Sequence, residues 1–326
     1  MPFSIQDRMG EKGGAHAPVR SKIRELAFKL MEKDSVVPIF SASARKLMEL
    51  TAREDVSMDE VVDVVSMDPG LAAKFLRLAN SSFYGNRSIA TIEAALLRIG
   101  MAEVRKIAMA AAAMEGAACF WSLKDGQKMD GNDAVEWEMF WTHSLLVARL
   151  TEEIANAFRP ASGKEYLAGL LHDIGKLFLG CHFPNEFKAA LQHSMSRHHG
   201  EYEAEKRLFD LTHAEVGWAL CERWKLHREI GRGIRFHHEP NSPFNKDPID
   251  PEYQHFLADC IEVADGLANL CGANILSGEN TSDVNFESLQ GWRELHRFTL
   301  RGEVDLDMGG ELENVRKLMG SLGMAA

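Results

Sequence analysis

The chain predicts an all-α protein on three observations. Apolar residues recur at helical spacing almost everywhere, no run alternates apolar and polar residues as a half-buried strand would, and helix-start signals open several periodic segments. Those signals include Ser57-Met58-Asp59-Glu60, Ser162-Gly163-Lys164-Glu165 and Thr212-His213-Ala214-Glu215. Each places Glu three residues after Ser or Thr, the pattern in which both side chains satisfy free amides of a first helical turn. Asp68-Pro69 is a fourth signal, with proline at the first helical position, where its missing N–H costs nothing.

In chain order, residues 1–18 hold glycines and little apolar periodicity and read as a flexible tail. Helices are expected at 19–33, 41–53, 58–66, 69–82, 91–99 and 101–115, forming an N-terminal helical lobe over 19–120. The polar, glycine-containing stretch 121–134 reads as a linker. A long helix at 135–158 ends before Arg159-Pro160, and the Ser162 box opens the helix that carries an adjacent His172-Asp173 pair. Further helices begin at the Thr212 box, near 227–238 and at 252–271, completing a second helical lobe over 135–272. The remaining 273–326 form a tail with a short helix at 311–322.

Bulk composition narrows the function classes. With 326 residues, 45% hydrophobic and 26% charged, the chain can bury a sizeable core. No run approaches 18 uncharged apolar residues, so no membrane span is expected. The start, Met1-Pro2-Phe3-Ser4, lacks a basic region followed by an apolar one, and the five cysteines occur singly, without Cys-x-x-Cys spacing. Both features lead us to expect a cytoplasmic protein with reduced thiols. A net charge of −11 argues against a direct nucleic-acid binder, which needs a basic face to displace counterions. Arg20, Lys22 and Arg24 are the local exception and read as a solvated helix face.

The chemistry concentrates on apolar helix faces. Leu167, Leu170, Leu171, Ile174, Leu177 and Phe178 form a stripe at i, i+3, i+4 spacing, and Asp173 falls between Leu170 and Leu177. A carboxylate there is costly unless it is paired, hydrogen-bonded or metal-bound. His143 shares a face with Leu146 and Leu150, His213 with Val216 and Leu220, and Asp265 lies between Ile261 and Ala268. His237 and His238 follow Ile234 by three and four residues. Taken singly, each is more often a hydrogen-bonded core residue or a cap. Together, seven inward ligand-type residues on five helices can hold one or two divalent ions, with Asp173 the natural bridge. Mixed imidazole and carboxylate ligands suit Fe, Mn, Zn or Co. Water bound to such an ion becomes a nucleophile near neutral pH, and Lys176, one turn after His172, would then meet a phosphate oxygen. Against that stands the plain reading of Lys176 as a solvated helix lysine.

The order His143, His172-Asp173, Asp265 resembles the HD superfamily of metal-dependent phosphohydrolases. His213 and His237-His238 resemble the extended set of the branch that hydrolyses cyclic dinucleotides. The rest of the chain is similar to the HDOD domain. The motifs are Val37-Pro38-Ile39-Phe40, Asp68-Pro69-Gly70-Leu71, the run from Leu76 to Gly85 and the run from Ala94 to Gly100. Trp141-Thr142-His143-Ser144, the run from Ala168 to Lys176 and His213-Ala214-Glu215-Val216-Gly217 continue it. The resemblance implies an HDOD-type helical fold, its N-terminal lobe packed on an HD-like lobe, and a bacterial signalling or regulatory role.

Many HDOD domains have lost HD ligands, whereas this chain keeps every such position. It departs from the cyclic-dinucleotide branch after His237-His238-Glu239, where Pro240-Asn241-Ser242-Pro243-Phe244 replaces Asp-Gly-x-Gly-Tyr-Pro. Two functions follow. The favoured one is a regulatory module that binds a signalling protein or a small nucleotide-like ligand. The alternative is a metal-dependent phosphohydrolase acting on a nucleotide or phosphoester, with Asp173 and Lys176 catalytic.

Overall fold

A computed structural model describes residues 20–32, 43, 46–47, 50, 55–81, 84, 89–122, 131–197, 200–245, 255–270, 290–295 and 307–322. The expected tail, the Val37–Phe40 motif, most of the 41–53 helix and the core of the expected linker lie outside these residues.

The described residues are helical, with no strand among them. The helices are α1 (Arg20–Met31), α2 (Met58–Ser66), α3 (Pro69–Ala79), α4 (Ile92–Ile99), α5 (Met101–Ser122), α6 (Gly131–Phe158), α7 (Lys164–Leu171) and α8 (Ile174–His182). They continue with α9 (Pro184–Arg197), α10 (Glu201–Phe209), α11 (His213–Arg223), α12 (Arg228–Phe236), α13 (Phe256–Leu270), α14 (Gln290–Leu295) and α15 (Met308–Leu322).

Local chemistry explains where several of them start. Ser57 accepts from the Glu60 amide while Glu60 reaches back to the Ser57 amide. Thr212 and Glu215 do the same for α11, and Asp68 caps α3 through the amides of Gly70 and Leu71. The Ser162 box forms only in half. Glu165 accepts from the Ser162 amide, but the cap position passes to Gly163 at φ 87, which carries no side chain to return a bond.

Two further expectations are corrected. No helix is expected from sequence at 184–209, yet α9 and α10 fill most of it. Their charge-rich faces hide the period, because α10 buries Glu205 and Ala204 together with Phe209. The long helices α5 and α6 also run further toward each other than expected, to Ser122 and from Gly131.

The core is continuous. The antiparallel neighbours α6 and α7 approach so closely that a Cβ at Gly169 would lie 2.8 Å from the Ala148 Cα. Helices α12 and α13 pack over this pair, α8 packs on α11, and α5 touches α4 on one side and α7 and α8 on the other. The expected stripe from Leu167 to Phe178 is buried throughout, each side chain contributing about 1.5–3 kcal/mol. The last helix, α15, lies against both α6 and α3 and buries Val315 and Met319.

Candidate metal centre

The His172-Asp173 pair is not inside one helix. It forms the turn between α7 and α8, with Asp173 at φ −102, ψ 7 and its carbonyl accepting the Lys176 amide at 2.8 Å. Two residues on, α8 comes close to α11. A Cβ at Gly175 would lie 2.0 Å from the His213 carbonyl oxygen, so α8 meets the start of α11 almost backbone to backbone. Asp173 occupies the cap position of α8 but makes no capping bond. Its carboxylate turns inward instead.

Around that carboxylate gather all seven residues singled out from the sequence, as two groups whose ligand atoms lie within 4.8 Å of one another. His143 from α6, His172 and Asp265 from α13 form the first; Asp173, His213, His237 and His238 form the second. Asp173 joins them. Its Oδ2 stands 3.3 Å from His172 Nε2 and 3.9 Å from His143 Nε2, while its Oδ1 stands 3.3 Å from His213 Nε2. His143 Nε2 is 3.1 Å from Asp265 Oδ1, and His213 Nε2 is 2.9 Å from His238 Nε2.

Three of the rings are oriented from behind. His172 Nδ1 lies 2.7 Å from the Gly169 carbonyl, His237 Nδ1 2.6 Å from the Ile234 carbonyl, and His213 Nδ1 2.7 Å from Glu205 Oε2. Each acceptor assigns the proton to Nδ1 and leaves the Nε2 lone pair facing the cluster, the usual posture of a metal-binding histidine. Among the seven residues, two ligand atoms, His237 Nε2 and Asp173 Oδ1, are buried without a hydrogen bond. Unmade bonds of this kind are rare in a protein interior unless the group serves something else. The residues therefore fit a pair of divalent ions.

The electrostatics agree. Burial pushes the Asp173 carboxyl up, but His172, Lys176 and His213 around it outweigh this and hold it well below the usual range. Burial likewise opposes ionisation of Asp265, yet the His143 hydrogen bond and nearby charge keep its pKa lowered. Burial pushes His237 down to about 3, aided by His172 and His213, and pushes His238 well down too. His172 is also opposed by burial, but Asp173 raises it above its ordinary value. A metal ion would compete with that proton.

Lys176 is not a solvated lysine. Its ammonium sits 2.7 Å from Asp173 Oδ2 and 2.7 Å from Glu201 Oε2, which raise its pKa well above normal against the cost of burial.

Two residues outside the sequence-predicted set, Glu201 and Glu205, also serve the site. Glu205 is fully buried, and its Oε2 accepts both the His213 amide and the His213 ring at 2.7 Å. One signal was available: Glu201, Glu205, Leu208 and Phe209 share a helical face at i, i+4, i+7, i+8. Among the described residues, His182, His193, His227 and His255 belong to neither group.

A family model described as HDOD domain matches residues 37–240, a span that includes every candidate ligand except Asp265. The structure is similar to a crystal structure of an HDOD domain protein with unknown function from Geobacter sulfurreducens. The TM-score is 0.68 at 26% identity, covering 93% of this chain and 96% of that one. It also resembles a Marinobacter aquaeolei protein provisionally named for signal transduction, with a TM-score of 0.65 at 23% identity over 95% of this chain and 67% of that one. An uncharacterized protein of Treponema pallidum is 24% identical over 235 residues, or 71% of this chain. The chain spans 43% of that relative's length. No described helix is long and apolar enough to cross a membrane.

Proposed function

Because this chain belongs to the HDOD domain family, we propose that it is a signal-transduction module built around a two-metal centre of HD type. In this reading it acts by binding a protein or small-ligand partner rather than by turnover. The observation that supports metal binding is the pair of buried, unbonded ligand atoms, His237 Nε2 and Asp173 Oδ1, among rings oriented from behind. His143, His172 and Asp265 would hold one ion, His213, His237 and His238 the other, and Asp173 both. The chemistry such ions supply is Lewis-acid polarisation of a bound oxygen. Imidazole and carboxylate ligands suit Fe, Mn, Zn or Co.

Binding without turnover is favoured by what surrounds the centre. The Lys176 ammonium, the group suited to a phosphate oxygen, is held between Asp173 and Glu201. His143, His172, Asp173, His213 and His237 are all buried. A phosphoester would have to displace an ion pair inside the core before it was oriented. The alternative, a phosphohydrolase with Asp173 and Lys176 catalytic, draws on one observation: the Asp265 side chain keeps 18% of its surface open, and His238 is partly exposed, so the centre has an edge.

Turnover of bis(p-nitrophenyl) phosphate by metal-loaded protein separates the two readings. The regulatory reading predicts bound metal with a rate no higher than that of the Asp173→Asn variant. Metal-stimulated hydrolysis abolished in that variant would establish the phosphohydrolase instead.

A further inference from the structure

The N-terminal helix α1 lies outside the family match at 37–240, yet it packs against α10, the helix whose Glu205 holds His213. It packs on α10 through a face that buries Ala27, Phe28 and Met31. From this face Arg24 reaches the short turn between α10 and α11. Its guanidinium donates to both oxygens of Glu215 at 3.0 Å, a bidentate pair, and to the Asp210 carbonyl at 2.6 Å. The pair is three-quarters buried, with side-chain exposures of 27% and 20%.

Both acceptors are structural points of that turn. Asp210 ends α10 in the left-handed region at φ 55, which turns its carbonyl outward, and Glu215 closes the cap that starts α11. His213 lies between them as the first residue of α11, with its amide and ring on Glu205 of α10. The turn is therefore held from inside by Glu205 and from outside by Arg24. A rigid fork on two acceptors fixes position better than a single charge would.

We propose that Arg24 is a positioning residue of the centre: by clamping the Asp210–Glu215 turn it fixes where His213 stands, and it makes α1 a handle on the second ligand group. The inference rests on the metal-binding reading only for its effect on metal affinity. The clamp itself can be tested without metal.

The test compares wild type, Arg24→Ala, Arg24→Lys, Glu215→Gln and the double variant Arg24→Ala/Glu215→Gln in the full chain. In metal-free protein, amide hydrogen exchange at His213 should be about tenfold faster in Arg24→Ala than in wild type, while exchange in the middle of α6 is unchanged. In a Co²⁺ titration followed by absorbance, the weaker-held ion of Arg24→Ala should bind about fivefold to tenfold less tightly, with the other within about twofold. Glu215→Gln, which leaves the Asp210 bond in place, and Arg24→Lys should fall between wild type and Arg24→Ala, and the double variant should be no worse than Arg24→Ala. Equal slowing or quickening of exchange at His213 and in α6 would mean that Arg24 serves only general stability, and would overturn the proposal. So would an unchanged His213 amide. A wild type that takes up no Co²⁺ would instead refute the metal-binding reading, and the exchange result would still decide the clamp.

Discussion

At the scale of single residues, the centre is defined by what stands behind each ring. Glu205 illustrates this, since one buried oxygen holds both the amide and the Nδ1 proton of His213. Glu205→Gln keeps shape but removes the charge that makes His213 a better donor of electrons, and metal affinity measured by chelator competition should fall about tenfold or more. The same residues predict a pH dependence. His237 titrates near 3 in the folded chain, and His238 is also depressed, whereas both take up protons near 6.5 when unfolded. The unfolded state then binds more protons below that pH, so stability falls as the solution is acidified.

The depressed Asp173 and Asp265 add a loss of the same sign at lower pH, as their carboxylates are forced to protonate. His172, whose pKa is raised, contributes the opposite way, a stability lost as pH rises through its folded value. Urea denaturation of metal-free protein should show stability dropping by about 1–3 kcal/mol per pH unit between pH 6 and 4. A flat profile would mean that His237 and His238 are not held neutral.

At the scale of elements, the sequence was most legible where a local signal and an apolar period coincide. Ser57, Asp68 and Thr212 each start a helix where expected, because capping is a contest among near neighbours that the sequence displays directly. It was least legible where a tertiary contact overrides the period. The apolar stripe from Leu167 to Phe178 reads as one helix, but the chain turns at His172-Asp173, and α8 restarts with Gly175 set against the His213 backbone. Arg24 is similar: on its own helix it looks solvated, and only the fold brings Glu215 to it. Gly175→Ala tests the contact. It forces α8 and α11 apart, and should cost about 1–3 kcal/mol in urea denaturation while weakening metal uptake. An unaffected variant would show that the two backbones have room to move.

At the scale of the whole molecule, all seven residues chosen from sequence meet in one place, because five separate helical segments or their ends converge there. The convergence was legible since each residue sits on an apolar face and must point inward. Its division into two groups was not, because that depends on distances between helices. Charged contacts then tie the outer helices to this core. Glu311 of α15 pairs with Arg149 of α6, which also faces Glu103 of α5 at 3.6 Å, while Lys106 of α5 bridges to Glu152 of α6 at 2.6 Å.

The central claim is that this convergence is a metal centre, and equilibrium dialysis of chelator-stripped protein against Mn²⁺, Co²⁺ and Zn²⁺ tests it most directly. The account predicts about two equivalents per folded chain for at least one of these ions, one for each ligand group, and less than one equivalent in Asp173→Ala. A folded wild-type chain that retains well below one equivalent of every ion would contradict it.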